Sequence, residues 1–121
     1  MPTAENLTPP VLLTKDHDRI LFDCGVPALN DYLKKYALQN QKKYAARTYV
    51  AARGNRIAGY YSRAYGLVSL EEAPQSVKSG LPSHPIPVIL LARLAVDSNE
   101  QGGGLGAALL KDALLRTLQA A

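Results

Sequence analysis

Hydrophobic positions recur every three or four residues between residue 27 and about residue 45. Pro27 suits the first turn of a helix, because its missing N–H would have no partner there. The spacing predicts an amphipathic helix that ends near Ala45 and has one apolar face. That face would contain Leu29, Tyr32, Leu33, Tyr36 and Ala37.

Two runs with strand-like composition follow this helix. They cover residues 48–52 and 57–70 and are separated by the pair Gly54-Asn55. A short Gly-Asn loop between such runs is typical of an antiparallel hairpin. Residues 71–87 contain four prolines, three serines and a glycine. They predict a loop, or at most one helical turn with loop on both sides.

Residues 88–96 are apolar at almost every position, which is typical of a strand covered on both faces. Arg93 is the exception, and its side chain either extends to an edge of the strand or enters a functional cleft. Residues 105–121 predict an amphipathic helix. Its apolar stripe would be Ala107, Leu110, Leu114 and Leu118, with Leu109 and Ala113 beside it, and Lys111, Asp112, Arg116 and Gln119 would point away.

The 121 residues are enough for a single domain, 1–121, with a hydrophobic core. Residues 1–12 contain three prolines and predict an extended arm, whose end near Val11 can start an edge strand. No apolar run is long enough for a membrane span and no signal peptide is evident, so we expect a cytoplasmic protein without membrane contact. A net charge of +4 favours anionic partners such as nucleic acid or a phosphorylated cofactor.

Candidate metal ligands and cysteine chemistry are sparse. His17 and His84 lack metal-ligand spacing, so we expect no metal site. Cys24 is the single cysteine and cannot form an internal disulfide. It is either a nucleophile or a packing residue, and the second interpretation is favoured because the sequence places no histidine to activate it.

Four glycines occupy five consecutive positions, 102–106, directly before the last predicted helix. Glycine inside a helix costs about 1 kcal/mol in propensity, so this cluster indicates a ligand that must touch bare backbone. A P-loop is excluded because Ala107, not lysine, follows Gly106. The dinucleotide fingerprint G-x-G-x-x-G/A is met formally by Gly102, Gly104 and Ala107, but its parallel βαβ context is missing.

The segment Gln101-Gly-Gly-Gly-Leu-Gly106 matches the Q/R-x-x-G-x-G/A signature and resembles the GNAT family of N-acetyltransferases. The resemblance implies a turn that binds the pyrophosphate of acetyl-coenzyme A. Converging backbone N–H groups and the positive end of a helix dipole favour an anion at such a turn. The implied cofactor-binding residues are Leu94, Ala95, Val96, Gln101, Gly102, Gly103, Gly104, Leu105, Gly106 and Ala107.

Further segments resemble the GNAT toxins of bacterial toxin–antitoxin modules, the TacT, AtaT and KacT group. They are residues 22–25, 28–33, 36–41, 58–61 and 92–97. The resemblance implies an α+β (α/β) GNAT acyltransferase fold, with a mixed, mostly antiparallel sheet flanked by helices and lacking its C-terminal part. It also implies acetylation of the α-amino group of aminoacyl-tRNA, which blocks translation, and neutralisation by a cognate antitoxin of the ribbon-helix-helix type.

The same resemblance assigns roles to residues. A backbone N–H near 94–96 would polarise the acetyl carbonyl, and Arg93 beside it would contact cofactor or RNA. The family's catalytic tyrosine lies beyond residue 121, so the catalytic residue is unknown here and neither Tyr60 nor Tyr61 inherits the role. Basic residues could follow RNA phosphates. The candidates are Lys34, Lys35, Lys42 and Lys43, with Arg47, Arg53, Arg56 and Arg63 as further cations.

The missing C-terminal part would leave residues 88–96 as a long apolar edge strand, which recruits other strands. We therefore expect either a fragment of a longer protein or a chain completed by another chain, such as a homodimer. Two alternatives stay open: an acetyltransferase for a small amine or protein N-terminus, and a non-catalytic module that binds coenzyme A or an antitoxin. For Gly104→Val we expect loss of cofactor binding with the fold largely intact.

Overall fold

The computed structural model describes residues 6–68 and 86–120 of the chain. The described strands form one sheet in an α+β arrangement, in which three strands follow one another between the helical segments. The elements in chain order are β1 (Val11–Leu12), α1 (Pro27–Asp31), a π-helical turn (Tyr32–Tyr36), α2 (Ala37–Lys42), β2 (Ala46–Arg53), β3 (Arg56–Val68), β4 (Ile86–Val96), a 3-10 turn (Ser98–Glu100) and α3 (Leu105–Ala120).

The four strands lie in the order β1-β2-β3-β4, and each described pair is antiparallel. The predicted hairpin is confirmed as β2 and β3, and Gly54 at its tip has a φ of +60°. β4 begins at Ile86, two residues earlier than predicted, so Ile86 and Pro87 are strand rather than loop. Pro87 is tolerated because no described strand pairs with the other side of β4. The loop predicted for 71–85 lies outside the described residues.

The helical segment 27–42 covers one face of the sheet, which we call face 1. Its core includes Leu33, Phe22 and Tyr60, and the rings of Phe22 and Tyr60 meet edge to face with centroids 5.5 Å apart. Val50 and Ala95 complete this core from β2 and β4. The predicted helix is therefore confirmed as an amphipathic segment packed on the hairpin.

The helical segment differs from the prediction in two details. It ends at Lys42 instead of near Ala45, and Tyr44 just after it has a φ of +60°, which no helix continues. The π-helical turn widens the helix, so the buried side passes from Leu33 to Ala37. Tyr36, which was predicted on the apolar face, is exposed instead.

α3 covers face 2, the opposite side of the sheet. Its buried side consists of Leu109 and Ala113, with Leu105 partly buried, and packs on Tyr49 and Tyr61. The predicted stripe is therefore wrong, because it is rotated away from the sheet. Its members Ala107, Leu110, Leu114 and Leu118 are exposed.

Gly59 on β3 explains which side of α3 is buried. A Cβ at Gly59 would lie 2.9 Å from Leu109 Cδ1 and 3.1 Å from Leu105 Cδ2. A real Cβ cannot make such contacts, so bare backbone at this position lets α3 approach the sheet through these leucines. Nothing in the sequence of α3 itself predicts that these leucines, and not the others, are buried.

Two α3 side chains predicted to point away from the sheet interact with it. Asp112 accepts hydrogen bonds from the Tyr61 hydroxyl at 2.6 Å and from Arg116 Nε at 2.8 Å. Arg116 also donates to the carbonyl of Pro10 at 2.8 Å and lies over the Tyr49 ring, 4.3 Å from its centroid. The N-terminal arm is thus fixed to α3, and Val11 and Leu12 form the short strand at the sheet edge that the sequence allowed.

The prediction that β4 is covered on both faces is wrong for its first half. Leu90 and Leu91 are exposed, and among the residues from Pro87 to Val96 only Ala95 is buried. The described helices pack mainly on the second half of the strand, so the apolar side chains of its first half stay exposed. No helix in the described ranges is long and apolar enough to cross a bilayer.

Candidate functional site

The glycine-rich segment forms the junction between β4 and α3. Gly102 and Gly104 have φ values of +88° and +86°, which L side chains rarely adopt. The α-helical hydrogen bonds begin where Ala108 N–H donates to the Gly104 carbonyl at 3.1 Å. The amides of the preceding residues therefore have no partner within the helix and are available at its N-terminus.

The mouth of this turn is open. A Cβ built on Gly102, Gly103 or Gly104 would meet no described atom within 4 Å. A phosphate can therefore approach the main chain without a side chain in the way, and the helix dipole favours its negative charge. Because Gly104 has a positive φ, however, Gly104→Val adds backbone strain, and the expectation of a largely intact fold holds better for Gly103.

The side chain of Gln101 faces the protein. Its Nε2 donates to the carbonyl of Val96 at 3.0 Å and to that of Cys24 at 3.4 Å. The amide thus connects the end of β4 to the loop before α1, and it holds the turn in position. Gln101 was predicted to bind the cofactor, and its side chain is already engaged in these two hydrogen bonds.

Asp97 is a positioning residue that the motif analysis did not single out. It is buried, and its carboxylate accepts from the backbone N–H of Asp23 and of Asn99, each at 3.0 Å, and from Arg56 Nη2 at 3.2 Å. Its own N–H donates to the carbonyl of Ala58 at 2.8 Å. One side chain thus ties the end of β4 to the N-terminal loop and to β3.

An ion pair completes the support of the turn. Arg53 at the end of β2 donates to both carboxylate oxygens of Glu100, at 2.9 and 3.1 Å. The hydrogen bonds from Arg53 hold the pKa of Glu100 below its ordinary value, with partial burial opposing the effect. The same contact raises the pKa of Arg53. Glu100 directly precedes Gln101, so the pair fixes the start of the glycine turn.

The loop before α1 is held by side chains as well. Asp23 accepts from the N–H of Gly25 and from Asn30 Nδ2, both at 2.9 Å, and these hydrogen bonds lower the pKa of its carboxyl. Cys24 is half-buried and packs against the face 1 core, in agreement with the packing interpretation rather than full burial. Its Sγ contacts the carbonyl of Val26 at 3.6 Å.

The end of β4 presents its backbone to an edge with which no strand of the described residues pairs. Asp97 N–H points to β3, so the Val96 carbonyl points the opposite way, where Gln101 binds it. Backbone groups alternate sides along a strand, so Leu94 also directs its N–H and C=O away from β3. Ala95 between them is buried toward face 1. Leu94, through its N–H and C=O, and Val96, through its N–H, therefore offer strand-pairing groups next to the glycine turn, while Gln101 occupies the Val96 carbonyl.

β4 contains a bulge that the sequence did not reveal. Ser62 pairs with Arg93 and Arg63 with Leu91, so Ala92 is an extra residue on β4. Bulges redirect side chains and are frequent beside active sites. Here the bulge lies two residues before the outward-facing Leu94.

Arg93 stacks on an aromatic side chain of face 1, and its place in a functional cleft stays a prediction. Its guanidinium carbon lies 3.7 Å from the centroid of the Tyr32 ring on face 1, as a stacked cation. Tyr32 is buried, and its hydroxyl lies 3.2 Å from Ser62 Oγ and 3.4 Å from Asn40 Nδ2. The stack leaves Arg93 half-exposed beside the outward-facing Leu94.

The candidate lysines are separate from the glycine turn. Lys34 is half-exposed, and Lys35, Lys42 and Lys43 are exposed, all on or just after the helical segment on face 1. The turn instead begins α3 on face 2, so the structure does not bring the two sets together. Lys35 lies 3.8 Å from Asp31 in an exposed pair.

Tyr60 and Tyr61 are packing residues. Both are fully buried; the Tyr60 hydroxyl donates to the carbonyl of Leu29 at 2.7 Å, and the Tyr61 hydroxyl donates to Asp112. Burial raises the pKa of both phenols, in Tyr61 with help from Asp112. Neither is placed to donate a proton to a ligand at the edge of β4.

Two cavities lie away from the turn. The larger, about 700 Å³, is lined mainly by apolar residues of the far ends of β3 and β4, and the smaller, about 130 Å³, lies between β4 and α3. Leu91, Leu110 and Leu114 form walls of the smaller one. The described residues that line them do not form a cluster of polar groups, so we locate the candidate site at the glycine turn and the adjacent edge of β4.

The chain is similar to characterised toxins, although no protein-family model matches it. It is 49% identical over 100 residues to the "tRNA-acetylating toxin" of Mycobacterium tuberculosis, covering 83% of this chain and 60% of that protein. The structure of AtaT complexed with acetyl-methionyl-tRNAfMet matches with a TM-score of 0.80 and 30% identity, covering 95% of this chain and 71% of that one.

A mutant of AtaT bound to the C-terminus of the antitoxin AtaR and acetyl-CoA matches with a TM-score of 0.76 and 30% identity, over 96% of this chain and 67% of that one. The chain thus spans about 60% of the length of the curated relative. The matched part includes the sheet, the helical segment and the glycine turn that carry the resemblance. The chain belongs to the family of GNAT acetyltransferase toxins that includes AtaT.

Proposed function

We propose that the protein is an acetyl-CoA-dependent N-acetyltransferase toxin that acetylates the α-amino group of aminoacyl-tRNA. The observation that carries the proposal is the open glycine turn at the start of α3, directly beside the outward-facing backbone of Leu94 and Val96. The glycine turn would bind a diphosphate, and the edge of β4 would bind an extended arm of the same ligand. Acetyl-CoA has both parts, and the AtaT complex named above contains it.

The backbone would perform most of the binding. Free amides from Gly102 to Ala107 would hold the pyrophosphate, and the edge of β4 would pair with the amide groups of the pantetheine arm as an added strand does. The outward N–H of Leu94 would then donate to the acetyl carbonyl oxygen and stabilise the negative charge that develops there. Acetyl-CoA supplies the activated acyl group.

Acetyl transfer requires no covalent enzyme intermediate. The amine attacks the carbonyl carbon directly once it is held beside it and deprotonated, so positioning supplies much of the rate. Asp97, Gln101 and Glu100 act as positioning residues, because they fix the turn and the strand without touching the reacting atoms. The group that protonates the leaving thiolate stays unassigned.

Charged tRNA is the proposed acceptor because AtaT is named in complex with acetyl-methionyl-tRNAfMet and the Mycobacterium relative is named a tRNA-acetylating toxin. The positive charge of the chain agrees with an RNA substrate. We propose that the reaction takes place in the cytoplasm, where charged tRNA is used. We further propose a cognate antitoxin, since AtaT is named in complex with the C-terminus of the antitoxin AtaR, and its ribbon-helix-helix type is what the resemblance implies. The apolar side chains exposed on β4 and α3 favour a homodimer.

Calorimetry with acetyl-CoA tests the turn, with Gly103→Val as the variant. Gly103 has no positive φ and a Cβ there meets no described atom within 4 Å, so valine should leave folding unchanged and obstruct the phosphate. We expect at least about tenfold weaker binding, equal to 1.4 kcal/mol. Gly66→Ala, on β3 outside the turn, is the control. Equal affinity in wild type and Gly103→Val would contradict the proposed site.

Transfer of labelled acetyl groups tests the substrate. We expect label on charged tRNA and not on uncharged tRNA or polyamines. Label on polyamines or protein N-termini alone would support the small-amine enzyme. Binding of acetyl-CoA without any transfer would identify a non-catalytic module.

A further inference from the structure

Tyr36 is an aromatic residue turned outward by an irregular helix. It is 52% exposed, although it lies in the same π-helical turn as buried Tyr32. The two ring centroids are 6.5 Å apart, and the planes differ by 35°. π-Helical turns are rare and occur often at functional sites. An exposed ring beside a buried one offers a flat apolar surface to a ligand.

Arg93 adds a cation to this surface. Its guanidinium is stacked on the Tyr32 ring at 3.7 Å and donates no hydrogen bond to any residue within the described ranges. Stacking fixes the plane of the guanidinium and leaves its N–H donors at the rim. A planar fork of this kind binds phosphate oxygens in a bidentate manner. Arg93 is therefore oriented as an anion ligand.

The location connects this surface to the proposed reaction. Arg93 directly precedes Leu94, whose N–H faces the open edge of β4. Three residues of strand, or roughly 10 Å, separate Arg93 from Val96 at the glycine turn. A group bound at Arg93 and Tyr36 would thus lie at the acyl end of a ligand held by the turn.

The charges around this surface favour an anionic acceptor. Lys34 and Lys35 belong to the same π-helical turn as Tyr36, and the adjacent acid, Asp31, is paired with Lys35. A polyamine would need free carboxylates here. A nucleic acid offers both a phosphate for Arg93 and a base for the ring.

We infer that Tyr36 and Arg93 form the site for the single-stranded 3′ end of the acceptor RNA, where Tyr36 stacks on a terminal base and Arg93 binds a neighbouring phosphate. This inference rests on the proposed function and specifies how the acceptor is held. Base stacking on an aromatic side chain tolerates different sequences, so the site would recognise the common 3′ end of tRNAs. The side chains of this pair touch RNA and not the reacting atoms.

Fluorescence anisotropy with a labelled single-stranded RNA ending in CCA tests the site. We expect Tyr36→Ala to weaken binding about tenfold, in line with the loss of one stacked base. Tyr36→Phe should bind like wild type, because the ring remains. Arg93→Gln should weaken binding about tenfold and make it less dependent on salt, since one phosphate contact is lost.

Tyr44→Ala is the matched control, because Tyr44 is 82% exposed just beyond α2 and makes no contact with Arg93 or Tyr32 that the described residues record. It should change the affinity less than about twofold. Wild-type affinity in Tyr36→Ala, or an equal loss in Tyr44→Ala, would overturn the inference. Calorimetry with acetyl-CoA on the same variants separates the outcomes. A wild-type protein that fails to bind acetyl-CoA contradicts the proposed function. Variants at Tyr36 or Arg93 that bind acetyl-CoA as wild type does but lose RNA binding are folded and support the site.

Discussion

At the scale of single residues, the candidate site depends on side chains that hold the glycine turn in position and do not contact the proposed ligand. The carboxylate of Glu100 accepts two hydrogen bonds from Arg53, and its side chain is mostly buried. The lowered pKa of Glu100 means that the folded state favours the charged carboxylate. The stabilisation is complete above the ordinary value of 4.5 and is lost as the pH falls through the lower folded-state pKa.

Glu100→Gln should therefore reduce the free energy of unfolding at neutral pH by about 1 kcal/mol and weaken its fall below pH 4.5. Urea unfolding at pH about 7 and about 3 measures both quantities. Asp31→Asn is the control, because its pair with Lys35 is exposed and should contribute little. An acid dependence identical in wild type and Glu100→Gln would show that the ion pair does not anchor the turn.

At the scale of elements, one glycine sets the position of α3. A Cβ on Gly59 would lie 2.9 Å from Leu109 Cδ1 and 3.1 Å from the carbonyl oxygen of Ala95. Because the oxygen belongs to the backbone, relief requires a movement of α3 or β4. Either movement changes the distance between the glycine turn and the edge of β4, which both belong to the proposed cofactor site.

We expect Gly59→Ala to lower the free energy of unfolding by about 1–3 kcal/mol and to weaken acetyl-CoA binding. Gly66→Ala is a matched control on the same strand, where the new Cβ would be an ordinary 3.6 Å from Val88 Cγ2. Thermal unfolding and calorimetry measure the two effects. Unchanged stability and affinity in Gly59→Ala would contradict the close approach of α3.

Much of this arrangement was predictable from local patterns. The strand composition around Gly54 gave the hairpin, and the glycine signature placed the turn at the start of α3. The buried side of α3 was not predictable, because leucines occur on several sides of this helix and the choice depends on Gly59 of another strand. The exposure of Tyr36 depends on a π-helical turn, for which the sequence pattern carries no distinct period.

At the scale of the whole molecule, apolar side chains remain on one surface of the described part. Leu110 and Leu114 on α3 and Leu91 on β4 are exposed, and all three line the smaller cavity. Arg63 lies beneath them in the smaller cavity, only 7% exposed, and its Nε and Nη1 have no hydrogen-bond partner among the described atoms. Apolar patches with an open strand edge promote association between chains.

We therefore expect the 121-residue chain to self-associate as its concentration rises, and Leu114→Lys to reduce this association. Size-exclusion chromatography with static light scattering measures the mass directly. Ile20→Lys is the control, because Ile20 is 72% exposed in the loop before α1, outside the patch. A stable monomer at every concentration would contradict the expectation that the apolar surface needs a cover.

The extra residue in β4 has a consequence for how this strand tolerates change. Without a bulge, residues two positions apart would share a face, yet Leu91 lines the cavity beside α3 while Arg93 stacks on Tyr32 across the sheet. Ala92 thus determines which face of the sheet the side chains that follow it occupy. Deletion of Ala92 would shift the register of β4 by one residue, so either the Arg93 guanidinium would face α3 or the leucines would face Tyr32. Replacement of the Ala92 side chain would leave the register unchanged.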